Sequence, residues 1–335
     1  MKTLKLIVII LLVLIFIVLA LGLFAPKEYV VERSTTINAP TALVFRHVQF
    51  WKNWQSWSPW AAMDSTMTVS LEGVDGTVGS IYKWAGKDVG EGMMTNTGIK
   101  PNEEIAYHLK FIKPWESESD GYVRLAPEGE GTKVTWGFSG KNKFPWRIVS
   151  LVMSMDKMVG RDFEKGLALL KQGVDEQMSE INKYQVQMID FRARTYAVIK
   201  KQVPTEKIQE FFSQSYGQIL EAMTKAKVTM AGVPCGLYYS WDETMNVFDM
   251  AAAIPIPSGK KVGDISIIQL PATKAYLIDY YGPYEKSENA HYAFDVHFAK
   301  NGLKQKAPVI EEYLTDPAQE PDPAKWLTRI YYFAE

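Results

Sequence analysis

Pro308-Val-Ile-Glu-Glu-Tyr-Leu-Thr-Asp-Pro317, followed by Trp326-Leu-Thr-Arg-Ile-Tyr-Tyr-Phe333, is the stretch from which the fold can be read. Both runs are rich in β-branched and aromatic residues, and a connection carrying Pro and Asp separates them, so they read as two successive strands. Alternation places Val309, Glu311 and Tyr313 on one face and Ile310, Glu312 and Leu314 on the other. At least one of the adjacent acids therefore shares a face with large apolar groups and needs a partner there. Two partners fit. One is a structural cation, for example Arg329 on the following strand; the other is a bound ligand with positive or hydrogen-bonding character.

The pattern has an echo 74 positions earlier, where Tyr239 and Asp242 correspond to Tyr313 and Asp316. Residues 236–241 and 247–254 read as the matching strand pair. A helix precedes each pair: 205–226, with Ile208, Phe211, Phe212, Ile219 and Leu220, and 284–303, with Tyr292, Phe294, Val296 and Phe298. A strand precedes each helix, over 191–204 and 270–283. Such a strand-helix-strand-strand duplication predicts a pseudo-symmetric sheet with helices on one side and a groove on the other.

Upstream the pattern changes. Residues 29–40 alternate as a strand, Thr41 is placed to cap a helix over 42–50, and Trp51, Trp54 and Trp57 mark a second short helix. Six short alternating runs follow, 67–71, 79–84, 90–99, 104–111, 121–126 and 132–139, divided by Gly, Pro, Asn and Asp turns. They predict an antiparallel meander. It closes on an amphipathic helix over 148–178, in which Leu151, Met155, Met158, Phe163, Leu167 and Leu170 recur near helical spacing. The tryptophans at helical spacing read as packing.

The length of 335 residues suggests about two domains, and 47% hydrophobic with 22% charged residues describes a folded chain. A net charge of -1 gives no electrostatic pull towards nucleic acid. Cys235 stands alone, which excludes an intrachain disulfide and a cysteine-rich zinc site. His47, His108, His291 and His297 show no metal-ligand spacing, and neither a phosphate loop nor a nucleophile elbow occurs. No metal and no cofactor are expected.

Residues 6–25 carry no charge over 20 positions, about 30 Å of helix, enough for a bilayer core. Lys2 and Lys5 precede this run, which is longer than the core of a usual signal peptide. It reads as an uncleaved signal anchor, with Ala20-Leu-Gly22 leaving cleavage open. A basic N-terminus held inside puts the body outside the cytoplasm, as a single-pass membrane protein.

Two resemblances sharpen this reading. Trp54-Gln-Ser-Trp-Ser-Pro-Trp60, Gly79-Ser-Ile-Tyr-Lys-Trp84, Val89-Gly-Glu-Gly-Met-Met94, Gly131-Thr-Lys-Val-Thr-Trp136 and Asp162-Phe-Glu-Lys-Gly-Leu-Ala-Leu-Leu-Lys171 resemble a polyketide cyclase-like member of the SRPBCC, or START-like, superfamily, over 29–178. That resemblance implies a helix-grip fold, a curved sheet wrapped round its C-terminal helix, with an apolar cavity between them. The duplicated pattern, with Gly282-Pro-Tyr284, Glu311-x-Tyr313 and Trp326-Leu-Thr-Arg-Ile330, resembles the GyrI-like small-molecule-binding domain, the effector-binding module of AraC-type and MerR-type regulators, over 184–335. The regulators carry a helix-turn-helix as well, and none is evident before Tyr184. The expected class is α+β: a transmembrane helix, a START-like domain and a duplicated GyrI-like domain.

The second resemblance implies that a glutamate on the corresponding strand lies in an aromatic-lined pocket and meets lipophilic cations. The Glu-x-Tyr spacing assigns that place to Glu311, and Tyr313, Tyr284, Tyr281, Tyr238 or Tyr239, Trp241, Phe248 and Trp326 are the candidate walls. The function expected is a membrane-anchored binder of hydrophobic small molecules, cationic ones among them, with the bilayer as a partner through residues 6–25. The alternative is a hydrolase of reactive small molecules in which Glu311 is catalytic.

Overall fold

A computed structural model describes residues 2–142, 146–150 and 154–335. The charge-free run forms α1 (Lys2–Phe24), whose 23 residues reach about 34 Å. Leu11, Phe16 and Leu23 are exposed on it, and it is long and apolar enough to cross a membrane. The chain then divides into two units, Met1–Glu176 and Gln177–Glu335.

In the first unit β1 (Glu28–Ile37) leads to α2 (Thr41–Gln49) and α3 (Trp51–Trp57). The meander follows as β2 (Thr68–Glu72), β3 (Ile81–Gly86), β4 (Gly90–Lys100), β5 (Glu104–Lys113), β6 (Ser117–Glu128) and β7 (Gly131–Lys141). The chain closes with α4 (Trp146–Val149) and α5 (Met155–Ile181), whose last residues pass into the second unit. The sheet runs β1-β7-β6-β5-β4-β3-β2, so the first strand becomes an edge beside the last. Aromatic side chains fill its interior. Trp51, Trp54 and Trp57 are buried; the Trp54 and Trp57 rings meet Trp136 at 5.5 and 5.1 Å, and Phe163 of α5 stacks on Trp136 at 4.1 Å.

Three local expectations change. The helix over 148–178 is two helices, and Leu151 lies outside the described residues. Met158 is 53% exposed, because it precedes Phe163 by five residues and points about 140° away from the buried line Phe163, Leu167, Leu170 and Val174. Thr41 is the first helical residue rather than the cap. Its hydroxyl bonds that of Thr132 at 3.1 Å, and Pro40 holds the cap position without a side-chain bond.

The second unit holds β8 (Gln187–Phe191), β9 (Arg194–Pro204), α6 (Ile208–Ala226), β10 (Cys235–Asp242) and β11 (Val247–Ile256). It continues with β12 (Ser266–Leu270), β13 (Thr273–Tyr281), α7 (Glu288–Asn301), β14 (Gln305–Tyr313) and β15 (Leu327–Ala334). Each expected leading strand thus begins three residues later, at Arg194 and at Thr273, and a short strand that was not expected precedes it. The order β12-β9-β11-β10-β14-β15-β13-β8 is unchanged when the halves are exchanged, which marks a pseudo-two-fold axis between β10 and β14. The short leading strand of each half pairs with the other half, β8 with β13 and β12 with β9, so the halves interlock.

Helices α6 and α7 cover one face, where Phe211, Ile219 and Met223 pack on Met250, Ala252 and Ile254, and Phe294 stacks on Tyr332 at 4.2 Å. The opposite face, expected to be a groove, buries its own cluster of Phe191, Tyr196, Leu237, Ile310, Tyr331 and Phe333. At roughly 2 kcal/mol for each fully buried large side chain, that cluster is a main source of the unit's stability.

Candidate functional site

The site lies where β10 and β14 meet. In their antiparallel register Gly236 faces Glu311 and Tyr238 faces Val309. Pro234 and Tyr313 are joined by the bond from the Tyr313 amide to the Pro234 carbonyl at 3.3 Å. Exchanging the halves therefore carries Tyr238 onto Tyr313 and leaves the Gly236–Glu311 pair in place. A single carboxylate stands on the axis between two tyrosines, on the face covered by the helices.

Gly236 is needed there. A Cβ at that position would lie 2.8 Å from the Tyr238 ring, 2.9 Å from Phe212 Cζ and 3.1 Å from the Tyr313 hydroxyl. Its absence lets the three rings close over the carboxylate.

Glu311 has a side chain only 12% exposed. Its Oε2 accepts from the Tyr313 hydroxyl at 3.0 Å and lies 3.3 Å from that of Tyr238, while the two hydroxyls are 2.9 Å apart. Two phenolic protons cannot fill three such bonds at once. The shorter distances favour a chain in which Tyr238 donates to Tyr313 and Tyr313 donates to Glu311. His291 of α7 places Nε2 at 3.0 Å from Oε1 and Nδ1 at 3.0 Å from the Tyr332 hydroxyl. Protonation at Nε2 lets the ring donate to the carboxylate and accept from Tyr332. Burial, followed by the Glu311 charge, pushes the Tyr238 and Tyr313 hydroxyls well above the usual tyrosine range, so both stay protonated donors. Tyr216 of α6 also has a buried hydroxyl, which has no hydrogen-bond partner among the described residues.

Aromatic rings continue the site on both sides. Trp241 stacks on Phe248 at 5.4 Å and Phe248 meets Tyr238 at 5.6 Å. Beyond Glu311, Tyr313 meets Tyr284 at 5.2 Å and Tyr284 meets Trp326 at 5.2 Å. The Tyr284 hydroxyl is anchored on the Thr315 carbonyl at 3.2 Å. Of the candidate walls, Trp241, Phe248, Tyr284, Tyr313 and Trp326 thus join one line of rings.

Two do not. Tyr281 is 62% exposed, and Tyr239 packs in the cluster on the opposite face, with Lys200 Nζ 3.7 Å from its ring centre. Tyr238 takes the place expected of Tyr239 because the β10 register shifts between Tyr238 and Ser240. That bulge makes the structural offset between the tyrosines 75 rather than 74, and a one-residue slip exchanges the faces of a strand. His291, Phe212 and Tyr216 come from helices. His291 follows Tyr284 by seven residues, as Phe212 follows Thr205, a correspondence present in the sequence at the heads of the two helices.

Glu312 points to the other face and takes the structural role. It pairs with the Arg194 guanidinium and accepts from the Tyr331 hydroxyl at 2.8 Å, with Arg194 lying over the Phe191 and Tyr331 rings. Arg329, the example offered for an ion pair, instead bonds Asp279 through Nε at 2.7 Å and a terminal nitrogen at 3.2 Å. Among the described residues no group of three or more His, Cys, Asp or Glu is arranged to hold a metal ion.

Comparison with known proteins gives both units a family. Residues 29–175 match the family described as polyketide cyclase / dehydrase and lipid transport, and residues 184–332 match the GyrI-like small molecule binding domain. No curated protein matches the chain. Among solved structures, the EcmrR C-terminal domain is 21% identical, with a TM-score of 0.41, over 45% of this chain and 98% of that one. A protein from Chromobacterium violaceum is 15% identical, with a TM-score of 0.34, over 44% of this chain and 96% of that one. A hydrolase from Listeria innocua is 10% identical, with a TM-score of 0.35, over 48% of this chain and 98% of that one. The chain therefore joins a domain of the polyketide cyclase / dehydrase and lipid transport family to a GyrI-like small molecule binding domain.

Proposed function

We propose that the protein is a membrane-anchored binder of hydrophobic small molecules, and that its GyrI-like domain takes flat lipophilic cations at Glu311. In this reading residues 6–25 span the bilayer and hold the domains at 29–178 and 184–335 outside the cytoplasm. The observation that carries it is the Glu311 carboxylate on the axis, embedded in a line of aromatic rings. Among the described residues no Lys or Arg forms an ion pair with it; His291 is its basic neighbour. A flat cation entering between the rings gains charge pairing with the carboxylate and about 0.5–2 kcal/mol from each ring face it covers. The Tyr216 hydroxyl, without a hydrogen-bond partner among the described residues, offers a ligand one further donor. Membership of a family described by lipid transport supports a hydrophobic ligand for the first unit as well.

The test is a titration of the full chain in detergent with lipophilic cations and neutral analogues of the same shape, followed by tryptophan quenching and thermal shift. Cations should bind at least about tenfold more tightly than the neutral analogues, equivalent to about 1.4 kcal/mol, and Glu311→Gln should remove the difference. Equal binding by Glu311→Gln and the parent would refute the assignment.

One observation favours a second reading. The Tyr238–Tyr313–Glu311–His291–Tyr332 chain joins phenols, a carboxylate and an imidazole, the groups of general acid-base catalysis. Under this reading the chain hydrolyses a reactive electrophile. Product formation that disappears in Glu311→Gln would establish it, whereas saturable binding without product favours the binder.

A further inference from the structure

We infer that the end of the first sheet nearest α1 rests on the bilayer surface, with the β5–β6 hairpin as its interfacial contact. This rests on the reading of α1 as a bilayer span. The strand register brings the parts together: Glu28 faces Lys141, Gly140 faces Ser119, and Ser117 faces Phe111. The start of β1, the end of β7, the start of β6 and the end of β5 therefore share one end of the sheet. The hairpin is made by the second and third strands from β1, about 10–14 Å away.

The link from α1 to this end is short and fastened. Residues 25–27 reach at most about 10 Å when extended. Asn142 donates from its backbone amide to the Lys27 carbonyl at 2.8 Å and from its side chain to the Pro26 carbonyl at 3.1 Å. Arg147 Nε donates to the Gly22 carbonyl at 3.0 Å, inside the last turn of α1. A Cβ on Gly22 would come within 2.5 Å of Ile148, so α4 packs directly on that turn. A helix held in this way keeps the sheet end beside the membrane surface.

The hairpin carries what an interface favours. Ile112 is 40% exposed and Trp115 68% exposed, flanking Lys113 and Pro114. An exposed tryptophan prefers the headgroup region, where its ring is partly desolvated and its indole N–H still finds acceptors. Glu116 beside it keeps the contact shallow. The turns at the opposite end of the same strands carry Asn102, Glu103 and Glu130 instead.

The test uses the full chain reconstituted in phosphatidylcholine vesicles. Glu116→Cys leaves Ile112 and Trp115 in place and accepts a polarity-sensitive dye, while Cys235 is buried and stays unlabelled. Spin-labelled lipids should quench the dye at 116 at least twofold more than a dye at Glu130→Cys. Equal quenching at the two positions, in a chain that floats with the vesicles, overturns the inference and leaves the anchor standing. A chain that does not float overturns both.

Discussion

Glu311 and Glu312 are adjacent, yet the strand turns one into the tyrosine cluster and the other into an ion pair. The consequence is a double dissociation. Glu312→Gln removes the partner of Arg194 in a site where the Glu312 side chain is 8% exposed and that of Arg194 31%. It should cost about 2 kcal/mol, less than a fully buried broken pair because Arg194 keeps contact with water, and leave cation selectivity intact. Glu311→Gln should do the reverse, losing selectivity with a stability change within about 1 kcal/mol, since an amide oxygen still accepts from Tyr313. Urea unfolding and ligand titration of the two variants check this; equal loss of stability in both would show that Glu311 is also a structural acid. The alternation separating the two acids was legible in the sequence. Which acid met a cation of the protein was not, because Arg194 lies 118 residues from Glu312 and reaches it only through the curl of the sheet.

At the scale of elements, the duplication was readable because each half repeats the same order of strand, helix and strand pair. Its register was not. A bulge adds a residue without adding a recognisable signal, and the shift between Tyr238 and Ser240 made the sequence echo select the tyrosine on the wrong face. The break of the long helix into α4 and α5 also escaped, since apolar spacing continued on both sides of it. The same strand pairing assigns Gly236 its value. Gly236→Ala places a methyl group within 3 Å of Tyr238 and Phe212, so both rings must shift. The expected result is a loss of about 1–3 kcal/mol from overpacking, together with weaker cation binding as Tyr238 leaves Glu311. A variant that binds as the parent does, with unchanged unfolding, would show that the rings do not need this close approach.

For the whole molecule, the buried tyrosines couple stability to alkaline pH, and they are unequally divided. Burial raises the Tyr196, Tyr216, Tyr238 and Tyr313 hydroxyls in the second unit, with Tyr280 pushed up to about 12. In the first unit the same cause raises Tyr82, Tyr107 and Tyr122, the last to about 12. An unfolded tyrosine releases its proton near pH 10, whereas these folded ones hold theirs higher. Between the two values the folded chain binds more protons than the unfolded chain. Each such tyrosine therefore contributes stability that is fully present below about pH 10 and is lost as pH rises towards the folded value. Unfolding midpoints should be level from pH 8 to about 10 and fall beyond it, further for the second unit than for the first. Hydrogen exchange of peptides from each unit, followed through urea unfolding at pH 9 and 11, separates the two. Tryptophan emission provides an independent check on the first unit, since eight of the ten tryptophans precede residue 177. A second unit whose midpoint held steady to pH 11, while the first fell, would mean that the Glu311 tyrosine cluster is open to water and is not the desolvated site that cation binding requires.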